Sequence, residues 1–361
     1  MSARQRLGVL FGGQSPEHEI SVISARSIMR EADPERFKIV PLGITRGGEW
    51  LTERETRERL ARCEADGTNW LGEEPGRGVL ASAEAVADLA GVDVVFPIVH
   101  GRNGEDGTLQ GLLELSDTPY VGAGVAGSAV GMDKAMMRAQ FAAHGVPQPG
   151  YVQLLDAELA DLSSGRASRE TVADLERAVG YPCFVKPANG GSSIGVSRAQ
   201  SREDLGEALR EAARYDRKVL VEEGIAGREI ECAVLGNAEP EASPLGEIRP
   251  PGDFYDFEAK YRDAGTELLV PAPLDDELAE RIRQTALDAY RALDLAGFSR
   301  VDFLVREPHG IHVLEVNTLP GFTPISMFPR LWQEAGLSYG ELITRLVDLG
   351  LERYEEARAY A

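Results

Sequence analysis

Short apolar runs alternate with amphipathic stretches along the first third of the chain. Leu7 to Phe11 is apolar throughout and stops at Gly12-Gly13. So short a run, ended by glycine, predicts a buried strand. Ser15-Pro16-Glu17 then reads as a helix start, with serine at the N-cap, proline at the first helical position and an acid in the first turn. Ile20 to Met29 continues at helical spacing. Ile39 to Ile44 and Val92 to Val99 are further strands, and the stretch from about Gly47 to Arg77 is polar and gives no element. Strands alternating with helices predict a parallel α/β domain over residues 1–125.

The pattern changes beyond Gly124. Ser128 to His144 predicts one helix, broken at Pro147 and Pro149. Tyr151 to Leu155, Tyr181 to Lys186 and Lys218 to Glu222 read as strands, Arg169 to Val179 and Asp204 to Ala213 as helices. Together they suggest a compact α+β second domain over residues 126–226. Residues 227–361 form a third unit. It has a strand from Glu229 to Leu235, a long loop from Pro250 to Gly265, a helix from Asp275 to Leu293, a strand pair from Phe298 to Val316, and a last helix from Tyr339 onward.

Composition narrows the partners. The 38 basic and 59 acidic side chains leave a formal charge of −21. That argues against a nucleic-acid partner, which needs basic patches, but not against a nucleotide met by local lysines and a cation. No apolar run approaches the ~18–20 residues that span a bilayer. The stretch Met1 to Gly13 is too short in its apolar part for a secretory signal, so no membrane and a cytoplasmic location are expected. The three cysteines, Cys63, Cys183 and Cys232, form no CxxC pair and fit a reducing compartment.

Chemistry concentrates in a few places. In the strand pair, Arg300 and Asp302 alternate on one strand, Glu315 and Asn317 on the other. A turn symmetric about Pro308-His309 sets Asp302 opposite Glu315 and Arg300 opposite Asn317, all on one face. Two carboxylates and an amide oxygen suit Mg²⁺ bound with phosphates. A solvated face with an Arg–Asp ion pair fits the same pattern. Lys186 leaves a strand into Pro187-Ala188-Asn189-Gly190-Gly191-Ser192-Ser193-Ile194-Gly195, a loop whose backbone N–H groups could wrap phosphate, or a plain flexible loop. It is not the GxxxxGK[ST] pattern. Gly122-Ala123-Gly124-Val125-Ala126-Gly127 matches GxGxxG, but Gln140 to Gln148 holds no acid for a ribose, so it reads as a loop with Ser128 capping the next helix. Glu222 to Glu229 is either a charged turn or a place for adenosine. Glu17 is either a helix-dipole glutamate or a ligand group at a sheet's carboxyl edge, and His100 is equally open.

Seven motifs in order resemble the D-alanine–D-alanine ligases of the ATP-grasp superfamily over roughly Leu7 to Leu346. They are Gly12 to Ser21; His100-Gly101-Arg102-Asn103-Gly104-Glu105-Asp106-Gly107; Met132-Asp133-Lys134; Lys186-Pro187 with Gly191 to Gly195; Glu258-Ala259-Lys260-Tyr261; Arg300-Val301-Asp302; and Glu315-Val316-Asn317-Thr318-Leu319-Pro320-Gly321. The resemblance implies an α/β substrate domain followed by two ATP-grasp subdomains that sandwich ATP, acting as a homodimer. It implies joining of two D-alanine molecules through a D-alanyl phosphate, for peptidoglycan precursors. Lys134, Lys186 and the loop at Ser192 and Ser193 would hold the triphosphate. Glu222, Ile225 and Glu229 would hold adenine and ribose. Asp302, Glu315 and Asn317 would bind Mg²⁺ or Mn²⁺, typically two ions. Glu17, with His100 nearby, would take the first D-alanine, and Ser326 and Met327 the second. Arg300 and the Gly321 N–H would stabilise the oxyanion. Tyr261, on the lid, would reach Ser192 and through it Glu17, and Lys260 would reach phosphate. Glu223 stands where some members have lysine and is assigned no role. Ligases that use D-lactate resemble this chain but carry histidine at the position of Tyr261, so tyrosine favours the dipeptide. A non-catalytic nucleotide-binding regulator would be expected to lose some of Arg300, Asp302, Glu315 and Asn317, and all four are present.

Overall fold

The computed structural model describes residues 4–73, 83–165, 169–249, 265–306 and 310–360. Three strands, β1 (Gln5–Gly12), β2 (Phe37–Ile44) and β3 (Val94–Ile98), form a parallel sheet in the order β2-β1-β3. The central strand is buried on both faces from Leu7 onward, which is why it reads as an unbroken apolar run. Helix α1 (His18–Glu31) starts later than the sequence suggests: Glu17, not Ser15, is the N-cap residue. Gly12 and Gly13, at φ 96° and 94°, turn the chain sharply first. A Cβ on Gly12 would stand 2.1 Å from the Ile44 carbonyl oxygen, so only glycine fits. Ser15 shapes that turn instead, its Oγ accepting the Glu17 N–H at 3.2 Å. The polar stretch holds α2 (Glu53–Asp66), opened by a capping box between Thr52 and Glu55. The first third also holds α3 (Ala83–Ala90) and α4 (Thr108–Leu115).

The single helix expected from Ser128 to His144 is two, α5 (Val125–Met132) and α6 (Lys134–His144). Asp133 breaks them. Its backbone is extended, and its carboxylate accepts the N–H groups of Ala135 and Met136 at 3.0 and 3.1 Å. An aspartate gains more as a cap than inside a helix. Ser128 caps nothing; it is buried inside α5, its Oγ donating to the Ala123 carbonyl oxygen at 3.3 Å.

The middle of the chain contains β4 (Tyr151–Leu155), α7 (Asp156–Ser163), α8 (Arg169–Val179), β5 (Cys183–Pro187), β6 (Ser197–Ala199), α9 (Arg202–Ala212) and β7 (Lys218–Glu223). The strands form an antiparallel sheet, order β4-β7-β5-β6, over its own core of Leu154, Leu175, Val185, Leu209 and Val221. The last third contains β8 (Arg228–Leu235), β9 (Glu241–Arg249), β10 (Glu267–Leu269), α10 (Asp276–Ala292), β11 (Phe298–Arg306), β12 (Gly310–Asn317), α11 (Met327–Glu334) and α12 (Tyr339–Arg358). Its sheet runs β10-β9-β8-β11-β12, antiparallel throughout.

The first and last thirds share one core. Phe96 meets Phe322 edge-on at 5.6 Å between ring centroids, and Phe298 lies 5.2 Å from Phe328. Helix α12 lies against α1 and β3, with Tyr339 donating to the Phe322 carbonyl oxygen and Arg353 stacked 4.1 Å over the Tyr120 ring. The three cysteines are buried thiols; burial pushes Cys183 up to about 11 and Cys232 up to about 12. Among the described residues no helix is long and apolar enough to cross a membrane.

Candidate active site

The turn after β1 is fixed before any ligand arrives. Ser21 Oγ accepts the Gly12 N–H at 2.7 Å and donates to the Ile98 carbonyl oxygen at 2.5 Å, tying the ends of β1 and β3 together. His18 is buried. Its Nδ1 lies 2.8 Å from the Gly13 carbonyl oxygen, and its Nε2 accepts the Leu71 N–H at 3.3 Å. Those partners require a neutral ring protonated at Nδ1, and burial lowers its pKa to match. Glu17 therefore stands at the carboxyl edge of the parallel sheet, where α/β folds bind ligands. His100 follows β3 on the same edge. Burial disfavours its charge, but Glu105, 3.4 Å from Nδ1, and the nearby Glu17 outweigh burial and raise its pKa.

The glycine–serine loop after β5 closes onto Glu17. Ser192 Oγ donates to Glu17 Oε1 at 2.5 Å, across 175 positions of sequence. Ser192 and Ser193 hold φ of 50° and 57°, a left-handed stretch unusual outside glycine. A Cβ on Gly191 would stand 3.2 Å from Glu17 Oε2, so a side chain there would crowd the carboxylate. Of the expected Tyr261–Ser192–Glu17 chain, the Ser192–Glu17 link is present; Tyr261 and Lys260 lie outside the described residues.

Two lysines enter from the other side. Lys134 opens α6, donates to the Gly190 carbonyl oxygen at 2.9 Å and pairs with Glu315 at 3.0 Å. Lys186 leaves β5 and pairs with Glu222 at 2.6 Å. The other Glu222 oxygen takes Arg138 Nε at 2.9 Å. Burial alone would raise the Glu222 pKa; Arg138 and Lys186 together hold it down at about 2. Burial lowers Lys186, with Glu222 opposing.

The strand pair holds the expected register, with Asp302 opposite Glu315 and Arg300 opposite Asn317. The route to it differs from the simple turn. Near the turn Arg306 pairs with Gly310 and Phe303 with Val313, one residue tighter than symmetry about Pro308-His309 would give. A β-bulge at Leu314 restores the offset. Leu314 and Glu315 both line the larger cavity. The Arg–Asp ion pair is also real: Arg300 grips Asp302 through two hydrogen bonds of 2.7 Å. It is nearly enclosed rather than solvated, each side chain only about one-seventh exposed. Glu231 on β8 adds a contact to Arg300 at 3.2 Å and pairs across the sheet with Asp302. Neither Glu231 nor Arg138 belongs to the residues expected at the site. A buried-facing acid in an apolar strand and an arginine one helical turn after Lys134 were the available signals.

Two adjoining cavities take in every expected site residue except Lys260 and Tyr261. The larger, about 810 Å³, includes Lys186, Ser193, Glu222, Ile225, Glu229 and Asp302. The smaller, about 530 Å³, includes Glu17, His100, Arg300, Asn317, Gly321, Ser326 and Met327. Lys134, Ser192, Glu231 and Glu315 are among the residues that line both, at the seam. Ser326 is the N-cap residue of α11, its Oγ accepting the Thr323 N–H at 3.0 Å and lying 3.0 Å from where a Gly321 Cβ would sit.

A parallel α/β unit followed by two antiparallel sheets around a lysine- and carboxylate-lined cleft defines an ATP-grasp ligase. Solved relatives agree. The D-alanine–D-alanine ligase from Coxiella burnetii superposes at TM-score 0.80, 34% identical, covering 99% of this chain and 97% of that one. VanG D-Ala:D-Ser ligase from Enterococcus faecalis superposes at 0.79, 33% identical, covering 96% and 99%. A "D-ala D-ala ligase N-terminus" profile matches residues 6–123, and a "D-ala D-ala ligase C-terminus" profile matches residues 140–348. The D-alanine–D-alanine ligase of Geobacillus thermodenitrificans is 47% identical over 98% of this chain and 97% of its own, and that of Thermoanaerobacter sp. 46% over 98% of each. The chain belongs to the D-alanine–D-alanine ligase family, and its reaction is the ATP-dependent joining of two D-alanine molecules.

Proposed function

We propose that the larger cavity takes ATP, the smaller takes both D-alanines, and the reaction occurs at their seam. The observation that carries this is the convergence there of Lys134 with Glu315 and of Ser192 with Glu17. Glu222, Ile225 and Glu229 would hold adenine and ribose. Lys134, Lys186 and the loop at Ser192 and Ser193 would hold the phosphates, with Lys260 arriving from the segment that also carries Tyr261. Asp302, Glu315 and Asn317 fit Mg²⁺ or Mn²⁺, two ions by the family resemblance: they are hard oxygen donors on one face, and Arg300 and Lys134 already balance the carboxylates. Bound metal supplies charge screening along the phosphates.

The first D-alanine's ammonium pairs with Glu17, near His100. Its carboxylate oxygen attacks the γ-phosphorus of ATP; the bond to the β–γ bridging oxygen breaks, giving D-alanyl phosphate and ADP. The second D-alanine sits with its carboxylate at Ser326 and Met327, facing the N-terminus of α11. Its neutral amine attacks the acyl carbon. Arg300 and the Gly321 N–H donate to the developing oxyanion, and phosphate leaves carrying the amine's proton. Excluding water matters because acyl phosphates hydrolyse. The chain would work in the cytoplasm as a homodimer, supplying peptidoglycan precursors.

Paired substitutions test the assignment of cavities. Glu17→Gln removes a charge-assisted hydrogen bond of ~1.5–3 kcal/mol and should raise the first D-alanine KM about 10-fold or more, leaving the ATP KM within about twofold. Asp302→Asn should raise the metal requirement instead. Steady-state kinetics showing the opposite pattern would exchange the two cavities' roles and sink the assignment.

A further inference from the structure

Arg138 is the largest fully buried side chain among the described residues and belongs to none of the roles above. A buried guanidinium is costly unless every donor direction meets an acceptor. Here Nε donates to Glu222 Oε1 at 2.9 Å, Nη1 to the Val313 carbonyl oxygen at 2.7 Å and Nη2 to the Leu314 carbonyl oxygen at 2.7 Å. Those carbonyls belong to the bulge in β12. The Val313 N–H goes to the Pro147 carbonyl oxygen at 2.9 Å, in the segment that follows α6. A bulge breaks the ladder and strands backbone groups; in this fold α6 and its continuation satisfy them. The next residue after the bulge is Glu315.

We propose that Arg138 is a positioning residue that locks the Val313–Leu314 bulge, and so fixes the Glu315 carboxylate relative to Glu222 and Lys186. One guanidinium joins the floor assigned to adenosine to the carboxylate assigned to metal. The planar fork reaches three acceptors on two elements, which an ammonium on a flexible stem cannot reproduce. The inference rests on the assignment of ATP and metal to this cavity.

The test uses the full-length enzyme and its Arg138→Lys and Arg138→Met variants, with Glu315→Ala as reference. Free Mn²⁺ is titrated by electron paramagnetic resonance in the presence of ADP, alongside thermal melting and steady-state kinetics. Both Arg138 variants should weaken Mn²⁺ binding about 10-fold or more and lower kcat, while the first D-alanine KM stays within about twofold. Arg138→Lys keeps the buried charge beside Glu222 and retains the fold if Arg138→Met does not. Melting temperatures that fall while Mn²⁺ affinity in the folded protein is unchanged would overturn the proposal and leave Arg138 a purely structural residue. Mn²⁺ binding unaffected by Glu315→Ala would instead overturn the metal assignment beneath it.

Discussion

Around Glu222, burial and charge pull in opposite directions, and the two cations win: the carboxylate stays ionised and can accept hydrogen bonds at any working pH. His18 is the converse. Its neutral ring bridges the Gly13 carbonyl and the Leu71 N–H, and its pKa in the folded chain lies below the usual 6.5. The sign of the effect follows. In the unfolded chain His18 takes up a proton near pH 6.5 while the folded chain resists it, so stability is full above that value and falls as pH drops through the lowered folded pKa. Thermal melting between about pH 7.5 and about pH 5 should show a smaller drop in His18→Gln than in the unsubstituted chain. An equal drop in both would assign the loss to other groups. The motif residues of the site were legible because each needs a particular functional group at a particular spacing. Arg138 and Glu231 were not, since their roles come from contacts with strands distant in sequence.

Elements with a continuous apolar face and sharp ends are legible in the sequence nearly to the residue, as at β1, α10 and the β11–β12 pair. Those whose definition is tertiary are not. Helix α2 buries only Thr56 and Cys63, so its pattern is too polar to stand out. Strand β9 and helix α11 give no clear pattern in the sequence: β9 carries Pro244 and Gly246 inside it, and α11 has a proline within its first turn. The break between α5 and α6 hinges on Asp133, which caps α6 and pairs with Lys218. That cap also sets the start of the helix from which Lys134 reaches Gly190 and Glu315. Asp133→Ala should cost ~1 kcal/mol for the cap alone and raise the ATP KM several-fold. Equilibrium unfolding and kinetics check it together; lost stability with unchanged ATP KM would mean that Lys134 is positioned without its cap.

Across the whole molecule, the aromatic cluster of Phe96, Phe298, Phe322 and Phe328 ties the first third to the last, while the middle sheet keeps its own core. The segment pattern does not reveal this, because α12 belongs to the third unit in sequence yet packs on the first. All three tryptophans, Trp50, Trp70 and Trp332, lie in the first and last thirds. Phe322→Ala, which removes about 3–5 kcal/mol of packing, should therefore move the fluorescence-detected unfolding of both thirds as one transition. Two separate fluorescence transitions would show that the thirds fold independently.

The central claim is that one chain converts ATP and two D-alanines to a dipeptide through an acyl phosphate. The most direct measurement is phosphate release from ATP and Mg²⁺ with D-alanine, with L-alanine and with D-alanine plus D-lactate at matched pH, products weighed by mass spectrometry. The account predicts one phosphate per D-alanyl-D-alanine, with D-alanine alone sufficing and L-alanine inert. Ester as the dominant product near neutral pH, or no turnover with D-alanine, would contradict it.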